Sequence, residues 1–471
     1  MYMNKKKVLL IRPSGNESSL GAMGRKLVSS VPPLGLLYIA SFLKNNGIET
    51  NFIDNDLERK SLSQLSIIIK NYRPDIIGIT AVTAEFSDTL KLARMCKSVS
   101  GALLVIGGPH ASGVYGEILE KYPEFDIVVR GEGELPFLDL ARGNEWGIIR
   151  GISYRLNNKI IHNAECPRID NLDALPFPGF DQIDLPKYKD PFYTIYGSLT
   201  IPIVTARGCP FECVFCASKV IFGRKVVSRT VDNVMDEIDY LIKKYPHGVV
   251  RFFDDTFTLD KKRTLDFCEK LKKRNIRWIC SVRADSVNYD ILKSMKESGC
   301  CLIQVGVESG SPDVLRKIKK NITVEQIRAV FRWAHKLNLD SCASFIIGLP
   351  GDDAGTIKET MHLAKEINPL FALFFPPVPY PGTELYTYAQ EKNLLLFNDW
   401  TQICAPKYKK IAMRHVIFDE KQIAYLVKRA YKGYYFRIRY VLINIIWGSL
   451  CRPKKIVYLM RLVHKFIKYF C

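Results

Sequence analysis

The 471-residue chain reads as an α/β protein: an N-terminal Rossmann-like domain, then a partial (β/α)6 TIM-type barrel, then a C-terminal helical tail. Three observations predict this. Short apolar strands alternate with helical stretches in two separate series, the pattern of parallel sheets. The second series contains six strand–helix units in a row, which is a barrel's repeat more than an open sheet's. Beyond Glu420 the chain carries twelve Lys and Arg, no Asp or Glu, and many aromatics. The divisions fall at residues 1–145 (first domain), 146–195 (connector), 196–420 (barrel) and 421–471 (tail).

In the first series, residues 8–11 form the opening strand. The helix that follows opens at Pro32-Pro33 and ends at Gly47, with proline first and glycine last. Strands follow at 50–53, ending in Asp54, and at 76–80, after the turn Pro74-Asp75. Two more come at 102–106, ending in Gly107-Gly108-Pro109-His110, and at 127–129, ending in Arg130-Gly131-Glu132-Gly133-Glu134. Open parallel sheets bind ligands beyond the carboxyl ends of their strands. These ends are rich in Gly, Ser and Thr, and predict a site for a large planar or phosphorylated ligand. Gly131-x-Gly133 is not a dinucleotide fingerprint, because it follows a late strand and lacks the third glycine. The connector, with Leu175-Pro176-Phe177-Pro178-Gly179-Phe180, cannot be regular helix and is expected to bridge the two domains.

The second series predicts strands at 201–206, 249–253, 277–282, 302–307, 342–347 and 371–375. Polar residues gather where these strands end. Asp254 and Asp255 close the second, Arg283 and Asp285 the third, Glu308 the fourth, and Gly348-Leu349-Pro350-Gly351-Asp352 the fifth. Barrel active sites are built on that rim. The first strand runs into Arg207-Gly208-Cys209-Pro210-Phe211-Glu212-Cys213-Val214-Phe215-Cys216, three cysteines at C-x3-C-x2-C spacing. Thiolates are soft ligands, suited to zinc or to iron–sulfur clusters. Both kinds of site ordinarily close with four ligands. Here no fourth cysteine and no nearby histidine follows before Cys268. A four-iron cluster on three thiolates keeps one iron open to a reacting molecule. A zinc knuckle or a buried cysteine cluster is the competing reading of the loop, but neither needs a ring of polar residues on the rim.

The loop resembles the signature of radical S-adenosylmethionine (radical SAM) enzymes. That resemblance implies a [4Fe–4S] cluster on Cys209, Cys213 and Cys216, SAM chelated to the open iron, and one-electron cleavage of SAM to a 5′-deoxyadenosyl radical. It implies roles on the rim as well. Asp254 (or Asp255) would accept from the SAM ammonium, and Arg283 would fork onto its carboxylate. Glu308 would accept from the ribose hydroxyls, and Gly348 with Gly351 would allow close approach near the adenine. Glu308 has a structural competitor, capping of the helix that opens at Pro312.

Pro32-Pro33-Leu34-Gly35-Leu36, Thr80-Ala81-Val82-Thr83, Gly107-Gly108-Pro109-His110 and Arg130-Gly131-Glu132-Gly133-Glu134 together resemble the cobalamin-binding domain that precedes many radical SAM cores. Thr80, Gly107, Gly108 and His110 are the contacts this implies. One departure stands out. Cobalamin domains of the methionine-synthase type carry D-x-H-x-x-G, whose histidine ligates cobalt, whereas this chain reads Asp54-Asn55-Asp56-Leu57-Glu58-Arg59. His110 is the one histidine of the domain at a strand end, and a turn or supporting role competes with cobalt ligation.

Thirteen scattered cysteines form no disulfide framework and point to a reducing, cytoplasmic setting. The basic-then-apolar start is too short for a signal sequence and reads as a first strand. The net charge of +20 belongs largely to the tail. Its aromatic, basic helix is expected to cap the barrel, with peripheral contact to an anionic membrane surface as the competing reading. Its uncharged run is too short to span a bilayer. No recognition module for nucleic acid accompanies the charge. The resemblance implies a C-methyltransferase acting on an unactivated carbon of a small-molecule or lipid-like substrate, with an external electron donor. A radical SAM oxidoreductase or cyclase of the same fold is the alternative. A tRNA methylthiotransferase would carry three further cysteines in the first domain, which has only Cys96. A non-enzymatic iron–sulfur protein would need a complete ligand set and no SAM rim.

Overall fold

The computed structural model describes residues 6–14, 31–188, 196, 199–403, 411–440 and 442. The first sheet has seven strands: β1 (Val8–Arg12), β2 (Thr50–Asp54), β3 (Ile76–Thr80), β4 (Leu103–Gly107), β5 (Ile127–Val129), β6 (Ile152–Leu156) and β7 (Lys159–His162). They lie in the order β2-β1-β3-β4-β5-β6-β7, with the first five parallel. Val8, Leu9, Leu10 and Ile11 are fully buried, as expected of a central strand covered on both faces. The first helix, α1 (Leu34–Asn45), starts directly after Pro33 and buries Leu36, Leu37, Ala40 and Leu43.

The last two strands fall in the stretch expected to be an irregular connector. They form a hairpin turning through Asn157 and Asn158, at φ 49° and 61°, and β6 pairs antiparallel with β5. Two consecutive left-handed residues make the tight hairpin turn that asparagine tolerates. The Lys159 and Arg155 of such a short pair masked its strand pattern, and charge of this kind is how edge strands are blunted. The proline-rich remainder is irregular, as expected, with three single turns of 3-10 helix at Leu172–Ala174, Phe180–Gln182 and Leu185–Lys187.

The second sheet is built from β8 (Leu199–Ile203), β11 (Gly248–Phe252), β12 (Trp278–Val282), β13 (Cys300–Glu308), β14 (Asp340–Ile346) and β15 (Phe371–Phe375). All six are parallel, in the order β8-β11-β12-β13-β14-β15, so the barrel is partial. Two-residue strands β9 (Ala206–Arg207) and β10 (Val227–Ser228) clip the cysteine loop closed at its base. The short helix α2 (Ser218–Phe222) follows that loop. After the barrel the chain returns to the first domain. Trp400 is buried there against His110, and Asp399 accepts from Tyr122 at 2.8 Å.

A long helix, α3 (Glu420–Tyr435), then packs along β15. Its tyrosines bind the backbone there. Tyr431 and Tyr435 accept from the amides of Phe374 and Ala372, and Tyr434 donates to the carbonyl of Pro369. The uncharged run read from Tyr440 to Leu450 lies almost wholly outside the described residues. Among the described residues, no helix is long and apolar enough to cross a membrane.

Candidate active site

The cysteine loop is held on all sides. Gly208, at φ 99°, begins it, and a side chain at that position would strike the carbonyl of Lys225. In the middle, the Val214 amide donates to Ile318 at 3.1 Å while its carbonyl accepts from Leu385 at 2.9 Å. Cys209, Cys213 and Cys216 all line one cavity of about 310 Å³ at the barrel's carboxyl rim, together with Asp255, Arg283, Glu308 and Lys320. Burial raises the Cys209 thiol and pushes Cys216 up to about 11. Left to themselves these thiols stay protonated at neutral pH, so a bound metal group must supply the charge that makes thiolates. Among the described residues, no three His, Cys, Asp or Glu side chains converge on a single-ion site. The sulfurs border a space instead, a donor set that suits a cluster with a ligand beside it.

The rim residues divide differently from the sequence expectation. Asp254 does not line the cavity. It accepts from the amides of Thr205 at 2.7 Å and Ala206 at 3.2 Å and from the Thr205 hydroxyl, bracing the chain just ahead of the cysteine loop. Asp255, the alternative, does line the cavity and accepts from Ser218 at 2.5 Å. Burial raises both carboxyls, and these hydrogen bonds oppose the rise.

Arg283 lines the cavity but is not free to fork onto a ligand. Nε and Nη2 each donate to Asp285 at 3.0 Å, and Nη2 also donates to the Lys320 carbonyl at 2.8 Å. Nη1 faces Cys213 Sγ at 3.9 Å, and the guanidinium sits 3.4 Å from the centre of the Phe211 ring. It therefore serves as a prop for the cysteine loop, with one edge toward the cavity.

Glu308 ends β13 at φ 67°, on a register shift against β14. A left-handed glutamate is strained, and such strain concentrates at functional sites. Its carboxylate is buried against Lys320 Nζ at 3.0 Å. It does not cap the next helix, Pro312–Lys317, whose N-cap is Ser311. Gly348, at φ 98°, is turned away from the cavity: a Cβ there would lie 2.7 Å from Ile423 of α3. Its role is to admit the tail helix.

In the first domain Thr80, Gly107 and Gly108 line a cavity of about 120 Å³ with Gly35, Phe137 and the Gly131–Glu134 loop. The far wall comes from the barrel, through Arg207, Ile221 and Phe222. A neighbouring cavity of about 260 Å³ shares Gly131, Glu132 and Ile221 with it. Glycine-lined strand ends opening between domains suit part of a large flat ligand. His110 is not among the lining residues. It is fully buried beneath Trp400 and Phe86, bonds Thr83 at 3.2 Å through Nδ1, and is pushed down to a pKa of about 3 by burial. It packs the domain and offers no nitrogen to the cavity, so a cobalamin there receives no imidazole from it.

Residues 203–364 match the Radical SAM superfamily, and residues 21–141 match the B12 binding domain. An uncharacterized methyltransferase of Pyrococcus horikoshii is 36% identical over 94% of this chain and 95% of its own. The chain belongs to the cobalamin-dependent radical SAM enzymes. Its cofactors are a [4Fe–4S] cluster, SAM and cobalamin. It is also 29% identical to the anaerobic magnesium-protoporphyrin IX monomethyl ester cyclase of Rubrivivax gelatinosus, over 81% of this chain and 69% of that one. Among solved structures, the cobalamin-dependent S-adenosylmethionine radical enzyme OxsB with aqua-cobalamin bound aligns with a TM-score of 0.74. That alignment covers 99% of this chain and 72% of OxsB at 18% identity, a likeness of fold.

Sequence reasoning missed Lys320, which reads as one member of the surface-like run Lys319-Lys320-Asn321 and carries no local signal. It also quoted Arg207, Glu132 and Glu134 without a role. The structure brings those three together.

Proposed function

We propose that the protein is a C-methyltransferase acting on an unactivated carbon. When bound, the cluster with SAM supplies a 5′-deoxyadenosyl radical and cobalamin supplies the methyl group. The observation that carries this reading is the short wall between the two sites. Ser218 and Lys219 of α2 line the thiol cavity, while Ile221 and Phe222 of the same helix line the glycine-rich cavity. A five-residue helix spans only about 7.5 Å, so a substrate at its edge stands within reach of both cofactors. Holding reactants this way converts a bimolecular transfer into a local one.

The chain's own residues bind and orient. Cys209, Cys213 and Cys216 hold the cluster. Asp255 takes the SAM ammonium, Glu308 the ribose diol, and Arg283 offers its Nη1 edge to the carboxylate. Thr80, Gly107 and Gly108 let a flat ligand approach the strand ends of the first sheet. Ser218 and Lys219 of α2 wall one side of the thiol cavity. The substrate is a small or lipid-like molecule, and an external donor supplies electrons.

A second reading, ring closure or oxidation without methyl transfer, is favoured by the cyclase relative. Reduced, cobalamin-loaded protein given SAM and no substrate separates the two. Methyl transfer predicts S-adenosylhomocysteine in amounts that track bound cobalamin, and none from cobalamin-free protein. Release of 5′-deoxyadenosine alone overturns the methyltransferase reading.

A further inference from the structure

Arg207 stands two residues ahead of Cys209, yet its side chain belongs to the first domain. Nη1 donates to Glu132 at 2.7 Å and Nη2 to Glu134 at 2.6 Å. Glu132 spends its second oxygen on Arg168 Nε at 2.7 Å and on the Ile169 amide at 3.0 Å. Two cations and two anions therefore balance. The Arg207 guanidinium also lies between two rings, 5.0 Å from Tyr38 of α1 and 5.7 Å from Phe222 of α2. Arg207, Glu132 and Glu134 are each at most 6% exposed.

Burying such a network is costly, and an apolar filling would often hold two domains together as well. What a fork onto two carboxylates provides is a fixed register, which a greasy contact does not. That register joins two particular places. Glu132 and Glu134 sit on the loop that lines the glycine-rich cavity, as does Arg207 itself. Arg207 continues through Gly208 directly into the thiol loop, and its backbone is pinned in β9 against Val227. A ligand that orders the Gly131–Glu134 loop therefore orders the base of the thiol loop through one side chain.

We propose that Arg207, with Glu132 and Glu134, is a positioning residue that couples the two cofactor sites, so that filling the cobalamin cavity pre-organises the thiol loop for SAM. The inference rests on the assignment of cobalamin and SAM to these two cavities and goes beyond it by making their occupancies interdependent. Coupling of this kind is reciprocal: cobalamin tightens SAM binding by the factor by which SAM tightens cobalamin binding. The network contacts neither reacting group, so its effect lies in binding linkage rather than in chemistry.

The test is an equilibrium titration of SAM into full-length, iron-loaded protein with and without hydroxocobalamin. Iron content is measured alongside, and the electron paramagnetic resonance of the reduced cluster is recorded. The parent is expected to bind SAM about tenfold more tightly when hydroxocobalamin is bound, within the usual range of such couplings. Hydroxocobalamin is also expected to shift the parent's cluster resonance. In Arg207→Lys, which keeps the charge but loses the fork, the ratio falls toward one and the shift disappears while iron content holds. Glu134→Gln leaves the Arg207–Glu132 pair in place, and carries the test if the lysine variant fails to fold. A parent ratio of one, or variants that keep the parent's ratio, overturns the linkage. Protein that binds no hydroxocobalamin at all overturns the cofactor assignment and the linkage with it.

Discussion

The open edge of the barrel gives the sharpest stability prediction. β15 ends its sheet, so one row of its backbone groups has no strand to pair with among the described residues. Such an edge invites aggregation unless it is covered. Here tyrosine hydroxyls cover it. Tyr435 Oη accepts from the Ala372 amide at 3.0 Å and donates to the Ala372 carbonyl at 2.9 Å, completing both groups of one residue. Ala372 is fully buried and Tyr435 is 4% exposed. Tyr435→Phe keeps the ring and removes only the oxygen, stranding a buried donor and a buried acceptor. Each stranded group costs about 1–3 kcal/mol, so the pair costs roughly 2–6 kcal/mol. For a domain of this size that lowers the melting midpoint by at least about 4 °C. Tyr425 on the same helix is 61% exposed, and Tyr425→Phe should stay within about 0.5 kcal/mol of the parent. Calorimetry gives the midpoint, and amide exchange at residues 370–376 shows whether the loss is local. If Tyr435→Phe melts with the parent and those amides exchange no faster, the helix does not clasp the strand. It would then be available to a membrane surface.

Further outcomes concern the rim carboxylates and the buried His110. Asp254→Asn should lower iron loading, because it weakens the brace ahead of the thiol loop, whereas Asp255→Asn should keep iron and weaken SAM binding; iron assay and SAM titration read both. Glu308→Gln, with shape kept and charge removed, should weaken SAM binding by about tenfold to a hundredfold, the worth of a charge-assisted bond, and unchanged affinity would remove Glu308 from the SAM site. His110 is held neutral in the fold at a pKa of about 3, while the unfolded chain takes up its proton near pH 6.5. Its contribution is therefore intact above about pH 6.5 and is lost as pH falls toward 3, at up to about 1.4 kcal/mol per pH unit; the midpoint of His110→Gln should decline less steeply over that window.

Much of the architecture was legible because parallel strands buried on both faces leave continuous apolar runs, and each such run became a strand. The cysteine loop was legible for a different reason: its chemistry is compressed into one short stretch. What stayed hidden depends on contacts between distant segments. Nothing near Gly348 announces that its left-handed turn makes room for Ile423, seventy-five residues later. Nothing near Arg283 says that the Lys320 carbonyl, far along the chain, joins its neighbour Asp285 in claiming most of its donors. The β6–β7 hairpin was overlooked because two short, charged strands carry little apolar pattern, and its turn signal, Asn157-Asn158, stood in plain sight.

The exchange of Asp254 for Asp255 has a more specific cause, and the sequence contained it. Side chains alternate faces along a strand. In β11, Phe252 points to the outer layer, packing on Phe267 of the covering helix Lys261–Arg274. Arg251 and Phe253 share the opposite face, with the guanidinium 4.2 Å from the Phe253 ring. Carried past the strand end, the same parity sends Asp254 outward with Phe252, to the Thr205 backbone, and Asp255 inward with Phe253, to the thiol cavity. Arg251 is the one charge inside an otherwise apolar strand. A barrel's outer layer is packed under helices, so a lone strand charge is best placed on the face toward the open polar mouth. Parity counted from that charge selects Asp255 before any coordinates are known. The carboxylate that reaches the cavity is thus fixed by the two-residue period of the backbone, and a residue inserted between Arg251 and Asp254 would exchange the roles of the two aspartates.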